Sequence, residues 1–405
     1  VQIKVPFRDR KTGQQRSLTA SAEVLTAPML RQTLNRWAWQ RTAWGFYETC
    51  GELHYAIGYM AAAGSKARLY VGQPDPNGAA DPTPVDNPRA ESLLGELGDS
   101  EAGHAQLVWM MLTHLAVAGE TFLIGYDDPV TGDRKWVAAT NEALQENSGK
   151  IRLQVGPAMF VNLPDDSTTV LRIHVQDPRF SWMPDSNVRA ILTDLARLQA
   201  LSSHIVATCD SRLSGAGILL IADSISTPPA DSEDEENHSD PVVDGLITAM
   251  STALNDQGTA ASVVPYALRV PDEVVKDGIK HLTFSTPFDK EVPGLVNMTL
   301  RKIAIGLNMP AEILLGTPQN HWSAWQKSED FVKLNVEPYL AIICQALTGK
   351  YMRPSGKALD GVAPDVVIWY DTTALVERPN KGPESITLYN LGLVSAECAR
   401  RENGF

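Results

Sequence analysis

A short polar run near the middle of the C-terminal half, Thr317, Gln319, Asn320 and His321, supplies hydroxyl, amide and imidazole groups without a fixed negative charge. Donors of that kind make weak, exchangeable contacts to phosphate oxygens. Upstream, Lys290, Arg301 and Lys302 provide cationic points for phosphates or carboxylates. The acids Asp231, Glu233, Asp234, Glu235 and Glu236 crowd into the run DSEDEENHSD at 231–240, which holds six carboxylates and no base. Such a run attracts divalent cations in principle. It lacks the alternation and the glycine of a calcium loop, so a solvated surface loop is the plainer reading.

Other chemistry finds less support. His104 and His114 fall on one predicted helix without the i, i+4 spacing that chelates a metal. Cys50, Cys209, Cys344 and Cys398 are far apart and form no CxxC or Cys/His ligand pattern. They read as buried thiols in a reducing compartment, with no metal site and no cofactor expected. No GxSxG elbow, Walker A loop, HExxH or GxGxxG occurs, so the common motif-bearing enzyme classes lose their sequence support. Trp37, Trp39 and Trp44 stand beside Arg31, Arg36 and Arg41, a composition that suits nucleic-acid stacking or burial. Burial against a core or a neighbouring subunit is the expected use.

The elements that must position these groups belong to an ordinary globular chain. It has 405 residues, 43% hydrophobic and 20% charged, which excludes a disordered polypeptide and predicts two or three structural units. Its longest uncharged apolar stretches fall short of the roughly 20 residues a bilayer span needs. It opens on Val1 without a Lys/Arg-led apolar segment, which predicts a processed chain with no signal peptide. The net charge of −13 argues against bulk neutralisation of a nucleic-acid backbone. That charge is uneven: residues 223–244 hold eight acids and no Lys or Arg.

Apolar spacing predicts a helix from about Pro28 to Ala63, carried by Leu30, Leu34, Trp37, Ala38, Trp44 and Tyr47. A strand at 66–72, a proline-rich loop to Pro88, a helix over 104–118 and a hairpin of 120–126 with 135–139 come next, then short strands at 151–155 and 170–175. The segment 186–213 carries no Gly or Pro and predicts a helix about 42 Å long. Gly215 and Gly217 stop it before the apolar strand ILLIA at 218–222. Beyond the acidic insert come a short helix over 241–254 and strands at 262–270 and 281–285. A second long helix starts near Asp289, where Pro293 predicts a kink or the true N-terminus. After the polar loop GTPQNH at 316–321, a third long helix over 322–347 contains Pro338. The tail predicts a strand at 365–370 and a helix at 384–391.

The order from Ser186 onward resembles that of the portal (head–tail connector) proteins of tailed double-stranded DNA bacteriophages. Leu282–Asp289 (LTFSTPFD) with Arg301–Gly316 (RKIAIGLNMPAEILLG) is similar to the stretch that carries the family's second stem helix. His321–Phe331 (HWSAWQKSEDF), Leu115–Tyr126 (LAVAGETFLIGY) and Leu388–Phe405 (LYNLGLVSAECARRENGF) are similar to further family stretches, in the same order along the chain. The resemblance implies an α+β portal fold: an α/β wing, a two-helix stem, a small α/β clip, and a tunnel loop followed by a long helix. The wing would be 1–185 and 347–405, the stem helices 186–214 and 287–313, and the clip 215–286 with its acidic insert at 223–244. The tunnel loop would be 314–322 and the long helix 323–346; a chain ending at Phe405 would lack the crown.

The same resemblance implies a non-enzymatic ring, usually of twelve copies, at one vertex of a capsid. Double-stranded DNA would be packaged through it by a terminase motor and later ejected. The implied partners are further copies of the chain, the DNA, the terminase large subunit, a head–tail adaptor and the major capsid protein, with no membrane. The implied location is the virion, and the host cytoplasm during assembly. Thr317, Gln319, Asn320 and His321 would face DNA, and Asp231, Glu233, Asp234, Glu235 and Glu236 would lie at the partner-docking clip. Lys290, Arg301 and Lys302 would line the stem channel or pair between subunits, and pairing is the expected use. A helix as long as 186–213 finds its burial beside copies of itself around a ring. Two rival classes remain, a metal-dependent nuclease or hydrolase and a capsid or tail adaptor without a channel. Neither requires paired long helices flanking a β-rich insert and followed by a polar loop.

Overall fold

A computed structural model of the chain describes residues 22–26, 29–30, 37–76, 80–98, 100–128, 131–147, 150–157, 159–163, 168–210, 218–222, 266–271, 273, 275, 279–282, 287–316, 321–354, 356–376 and 382–402. In chain order the first elements are β1 (Ala22–Val24), α1 (Ala38–Thr49), α2 (Gly51–Gly64), β2 (Arg68–Gln73), β3 (Thr83–Pro84), α3 (Pro88–Glu96) and α4 (Glu101–Ala118). Next come β4 (Glu120–Asp127), β5 (Arg134–Ala139), β6 (Leu144–Asn147), β7 (Lys150–Gly156), β8 (Met159–Leu163), β9 (Thr169–His174) and the long α5 (Asn187–Asp210). The strands β10 (Ile218–Ala222), β11 (Tyr266–Val270) and β12 (Ile279–Leu282) precede α6 (Pro287–Gly306), α7 (Ala311–Leu315) and α8 (His321–Phe331). The last elements are α9 (Glu337–Ala346), β13 (Val367–Asp371), α10 (Thr373–Val376), α11 (Gly382–Asn390) and α12 (Ala396–Glu402).

The chain divides into two compact units, residues 1–193 with 301–405, and residues 194–300. At the centre of the first lies an antiparallel sheet in the order β1-β9-β4-β5. Its strand β4 is buried from Glu120 to Tyr126, which explains a nearly unbroken apolar sequence rather than an alternating one. The helix before it starts at Ser100, whose hydroxyl accepts from the Gly103 N–H at 3.1 Å, and stops at Gly119 with φ +72°. Glycine is required there. A Cβ on Gly119 would stand 2.3 Å from the Asp185 carbonyl oxygen. Two smaller antiparallel sheets, β13-β2-β3 and β6-β7-β8, complete the strands of this unit.

Several expected elements change shape. The single helix expected over 28–63 is broken at Cys50, which is extended (φ −105°, ψ 106°) and separates α1 from α2. Strands β6 and β8 escape a periodicity reading because most of their residues are exposed. Pro293 does not start a helix; it sits inside α6, which begins at Pro287. The third long helix is not uniform, since α8 and α9 are joined through a π turn at Val332–Val336, and a second π turn lies at Leu347–Tyr351.

In the second unit, β10 is the middle strand of three, parallel to β11 and antiparallel to β12. Leu220, Ala222 and Val275 form its small buried cluster, with Ile218, Val270 and Leu282 packed against it. Along α5 the residues Leu195, Leu198 and Leu201 are buried at helical spacing, and along α6 so are Val292 and Thr299. The helix expected at 241–254 and the acidic insert lie outside the described residues.

Candidate functional site

The residues singled out by sequence fall on the long helices and the segment after them. Lys290 is exposed on α6 in the second unit. Arg301 and Lys302 are exposed on the last turns of α6, in the first unit. Thr317, Gln319 and Asn320 lie outside the described residues, and His321 is the first residue of α8. Asp231, Glu233, Asp234, Glu235 and Glu236 also lie outside the described residues. Among the described residues, Lys290 and Lys302 make no ion pair with a carboxylate. Arg301 is near enough to Glu312 for its charge to act on that carboxyl.

Within the second unit a polar bond ties α5 to α6. His204 Nε2 lies 2.9 Å from Asp289 Oδ1, and the imidazole meets the Phe288 ring edge-on at 5.1 Å. On α5 itself, Arg197 pairs with Asp194 at 2.5 Å. Ile205 and Val206 on α5 and Met298 on α6 are exposed.

Within the first unit, the start of α5 and the end of α6 approach closely. A Cβ on Gly306 would stand 2.1 Å from Ile191 Cγ2, so the glycine sets how near the two backbones come. Beyond α6, Lys327 on α8 bonds Glu312 on α7 at 2.7 Å and holds that carboxyl below its ordinary value. Asn335, in the π turn, donates its Nδ2 to the Asn308 carbonyl at 2.8 Å. Burial pushes the Tyr339 phenol up to about 12, so it stays protonated at neutral pH.

A buried polar network braces the sheet of the first unit. Glu120 accepts from Arg172 Nε and an Arg172 terminal nitrogen, both at 2.8 Å, from Gln40 Nε2 at 2.9 Å and from Asn141 Nδ2 at 2.7 Å. Nearby Asp177 is gripped by the Arg179 side chain and backbone N–H and by Arg189, which hold its carboxyl well below the usual carboxylate range. Arg189 also covers the Trp39 ring at 5.4 Å, while Trp37 meets Trp182 and Trp44 meets Tyr47 and His114. All three tryptophans are only partly buried, and Trp182, which Trp37 meets, is itself mostly exposed, so they contact other side chains of the chain without entering its core. Arg31 and Arg36 lie outside the described residues. His114 is buried, bonds Thr121 Oγ1 at 3.0 Å, and its pKa is lowered to about 4 by burial.

Sequence reasoning missed Glu120, Arg172, Asp177, Asn308 and Asn335. A charged residue opening an otherwise apolar strand, as Glu120 does, was a usable signal. So was Pro338, whose missing N–H leaves a helix without one bond. Among the described residues no group of three or more His, Cys, Asp or Glu is placed to hold a metal ion, and no helix is long and apolar enough to cross a membrane.

No protein-family model matches the sequence, and no curated protein does. Solved structures match the fold. The neck of an empty gene transfer agent particle, computed with sixfold symmetry, contains a chain that superposes with a TM-score of 0.50 at 17% identity, over 88% of this chain and 92% of that one. The neck of the native particle, computed with twelvefold symmetry, gives 0.50 and 17% over 90% and 94%. An HK97-family phage portal protein from Corynebacterium diphtheriae is similar at 0.45 and 13% identity, over 81% and 94%. This chain shares the α+β fold of the neck chains over about nine-tenths of its length.

Proposed function

We propose that this chain is a portal protein: a subunit of a ring at one capsid vertex through which double-stranded DNA is packaged and later released. The observation that carries the reading is a fold shared over about nine-tenths of both chains with neck structures solved in sixfold and twelvefold symmetry. The motif order along the sequence supports it independently. In this reading the long helices α5 and α6 stand side by side in the wall of the ring, and the chain performs no catalysis. Further copies, the terminase large subunit, a head–tail adaptor and the major capsid protein are its protein partners, and the virion is its location.

The physics of a conduit fits the residues. Every phosphate held by the wall retards movement in both directions, so a wall without a dense basic stripe is favourable. Thr317, Gln319, Asn320 and His321 offer exchangeable donors at the narrowest place. Lys290, Arg301 and Lys302 pair with carboxylates of a neighbouring copy, and the acidic insert at 223–244 meets docking partners.

Imaging of the purified chain tests the ring. Closed rings with a through-hole as wide as duplex DNA are expected; monomers, or rings without a hole, would sink the reading. Deleting residues 316–321 is expected to spare capsid assembly while impairing packaging or genome retention. Unchanged packaging and retention would remove the channel role of that loop.

A further inference from the structure

Between β9 and α5 the chain makes a short loop, closed by a bridge between Gln176 and Pro184. Asp177 anchors it. Its Oδ1 accepts from the N–H groups of Arg179 at 2.8 Å and Phe180 at 3.4 Å, and its own N–H donates to the Met183 carbonyl at 2.9 Å. Two buried side chains of β9 hold further carbonyls of the loop. Arg172 donates to that of Trp182 at 3.2 Å, and His174 Nε2 lies 2.9 Å from that of Ser181. A backbone fixed in this way has little conformational freedom left to lose on binding.

What the loop displays is aromatic. Phe180 is 49% exposed and Trp182 58%, and their ring centroids lie 6.3 Å apart. The arginines beside them are already engaged: Arg179 and Arg189 both pair with Asp177, and Arg189 also pairs with Asp185. Two cations against two carboxylates leave no surplus charge for phosphates. The loop therefore suits apolar side chains of a protein.

Its size narrows the partner. A buried aromatic side chain covers about 150–250 Å², so the exposed parts of Phe180 and Trp182 offer roughly 200–250 Å² together. A stable protein pair buries about 800 Å² on each side. The loop is too small to capture a free protein, and fits as an anchor where two chains are already held side by side. Adjacent copies in a ring meet that condition. Their contact is heterologous, so each chain must carry two different complementary surfaces.

The first unit carries a second uncovered apolar surface, on α11 and the turn after it. Ile386, Leu388, Tyr389, Leu391 and Leu393 are all exposed. The Leu393 N–H bonds the Leu388 carbonyl and the Gly392 N–H bonds the Tyr389 carbonyl, both at 2.9 Å, around Gly392 at φ +71°. Those bonds fix the end of the helix and with it the backbone of Leu391 and Leu393. An apolar patch of this kind marks an interaction site.

We propose that the Phe180–Trp182 loop of one copy seats on α11 of the next copy. The inference rests on the ring reading and adds which surfaces meet. Photo-crosslinking on the full chain tests it. Isotopically heavy copies carrying Trp182→p-benzoylphenylalanine are assembled with light native copies, irradiated and mapped by mass spectrometry. Heavy–light crosslinks to residues 386–393 are expected. Phe180→p-benzoylphenylalanine repeats the test with Trp182 intact. Rings whose crosslinks map elsewhere, stay within the heavy chain or are missing overturn the contact alone; native chains that form no rings remove the ring reading as well. A second measurement needs no label. Trp182→Ala and Leu391→Ala are each expected to lower the ring yield about fivefold or more, and the double variant little further, because both remove one shared contact. Single-variant losses that multiply in the double variant, or no loss in either, overturn the contact.

Discussion

In the first unit Phe122, Leu123 and Ile124 on β4 are fully buried, and a glutamate beside them has all its charge met by an arginine and two amides. In the second unit, Ile205, Val206, Phe288 and Met298 are exposed on two helices joined by the partly exposed His204–Asp289 pair and by the contact of the same imidazole with Phe288. One region closes its core with its own residues. The other presents apolar helix faces to whatever stands beside it. The difference teaches where self-sufficiency ends in this chain: buried polar groups specify the first unit, while the second leaves apolar side chains of its long helices uncovered by the described residues of the same chain.

The sharpest way to break that comparison is to unpair the buried charge. Glu120→Ala strands Arg172, whose remaining contact is one bond to the Trp182 carbonyl at 3.2 Å. Removing one partner of a buried pair costs about 3–5 kcal/mol. The matching change in the second unit, His204→Ala, is expected to cost below about 1 kcal/mol, since the pair it breaks is partly solvated. Urea denaturation of both variants measures the ratio. Equal losses would remove the distinction between the units.

A somewhat smaller effect is expected from His114. Its pKa in the folded chain is about 4 against an ordinary 6.5, because burial disfavours the charged ring. The unfolded chain therefore binds the proton first, and stability is fully present above pH 6.5 and falls as pH drops toward 4. The drop amounts to about 3 kcal/mol. Denaturation at pH 7 and at pH 4.5 should show that loss in the native chain and a smaller one in His114→Gln. Parallel pH dependence in the two would mean His114 carries a proton when folded.

Much of this architecture was legible. The strand ILLIA at Ile218–Ala222 and the helix ending at Gly119 have sequence patterns that burial dictates directly. The kinship of fold was legible in the order of motifs rather than in any one of them. The hidden features depend on partners distant in sequence. Arg172 and Glu120 are 52 residues apart, and Asn335 and Asn308 are 27 apart. No local spacing announces such pairs. The break at Cys50 was hidden for another reason: both flanking helices continue one apolar pattern, and only the backbone angles change.

Two glycines of α6 carry the comparison down to a single atom. A Cβ at Gly306 collides with the buried Ile191, whereas a Cβ at Gly294 meets nothing within 4 Å. Gly306→Ala is expected to cost about 1–3 kcal/mol through overpacking. Gly294→Ala is expected to gain up to about 1 kcal/mol, since alanine holds a helix better than glycine. Thermal melts of the isolated chain decide the signs. Two shifts of the same sign would mean that α6 is packed alike at both ends.

The smallest stability effect carries the most for assembly. Ile205 and Val206 are exposed on α5, so replacing both by serine is expected to change the stability of the isolated chain by no more than about 0.5 kcal/mol. If neighbouring copies cover that face, the same variant loses its apolar contact area at every interface of the ring, and the yield of closed rings falls. The two readouts separate cleanly. A stability loss above about 1 kcal/mol would show that the face is packed within one chain. Unchanged stability with an unchanged ring yield would show that neighbours cover some other part of the helix, leaving Ile205 and Val206 to face the interior of the ring. Only unchanged stability with fewer rings matches a unit whose core is completed by its neighbours.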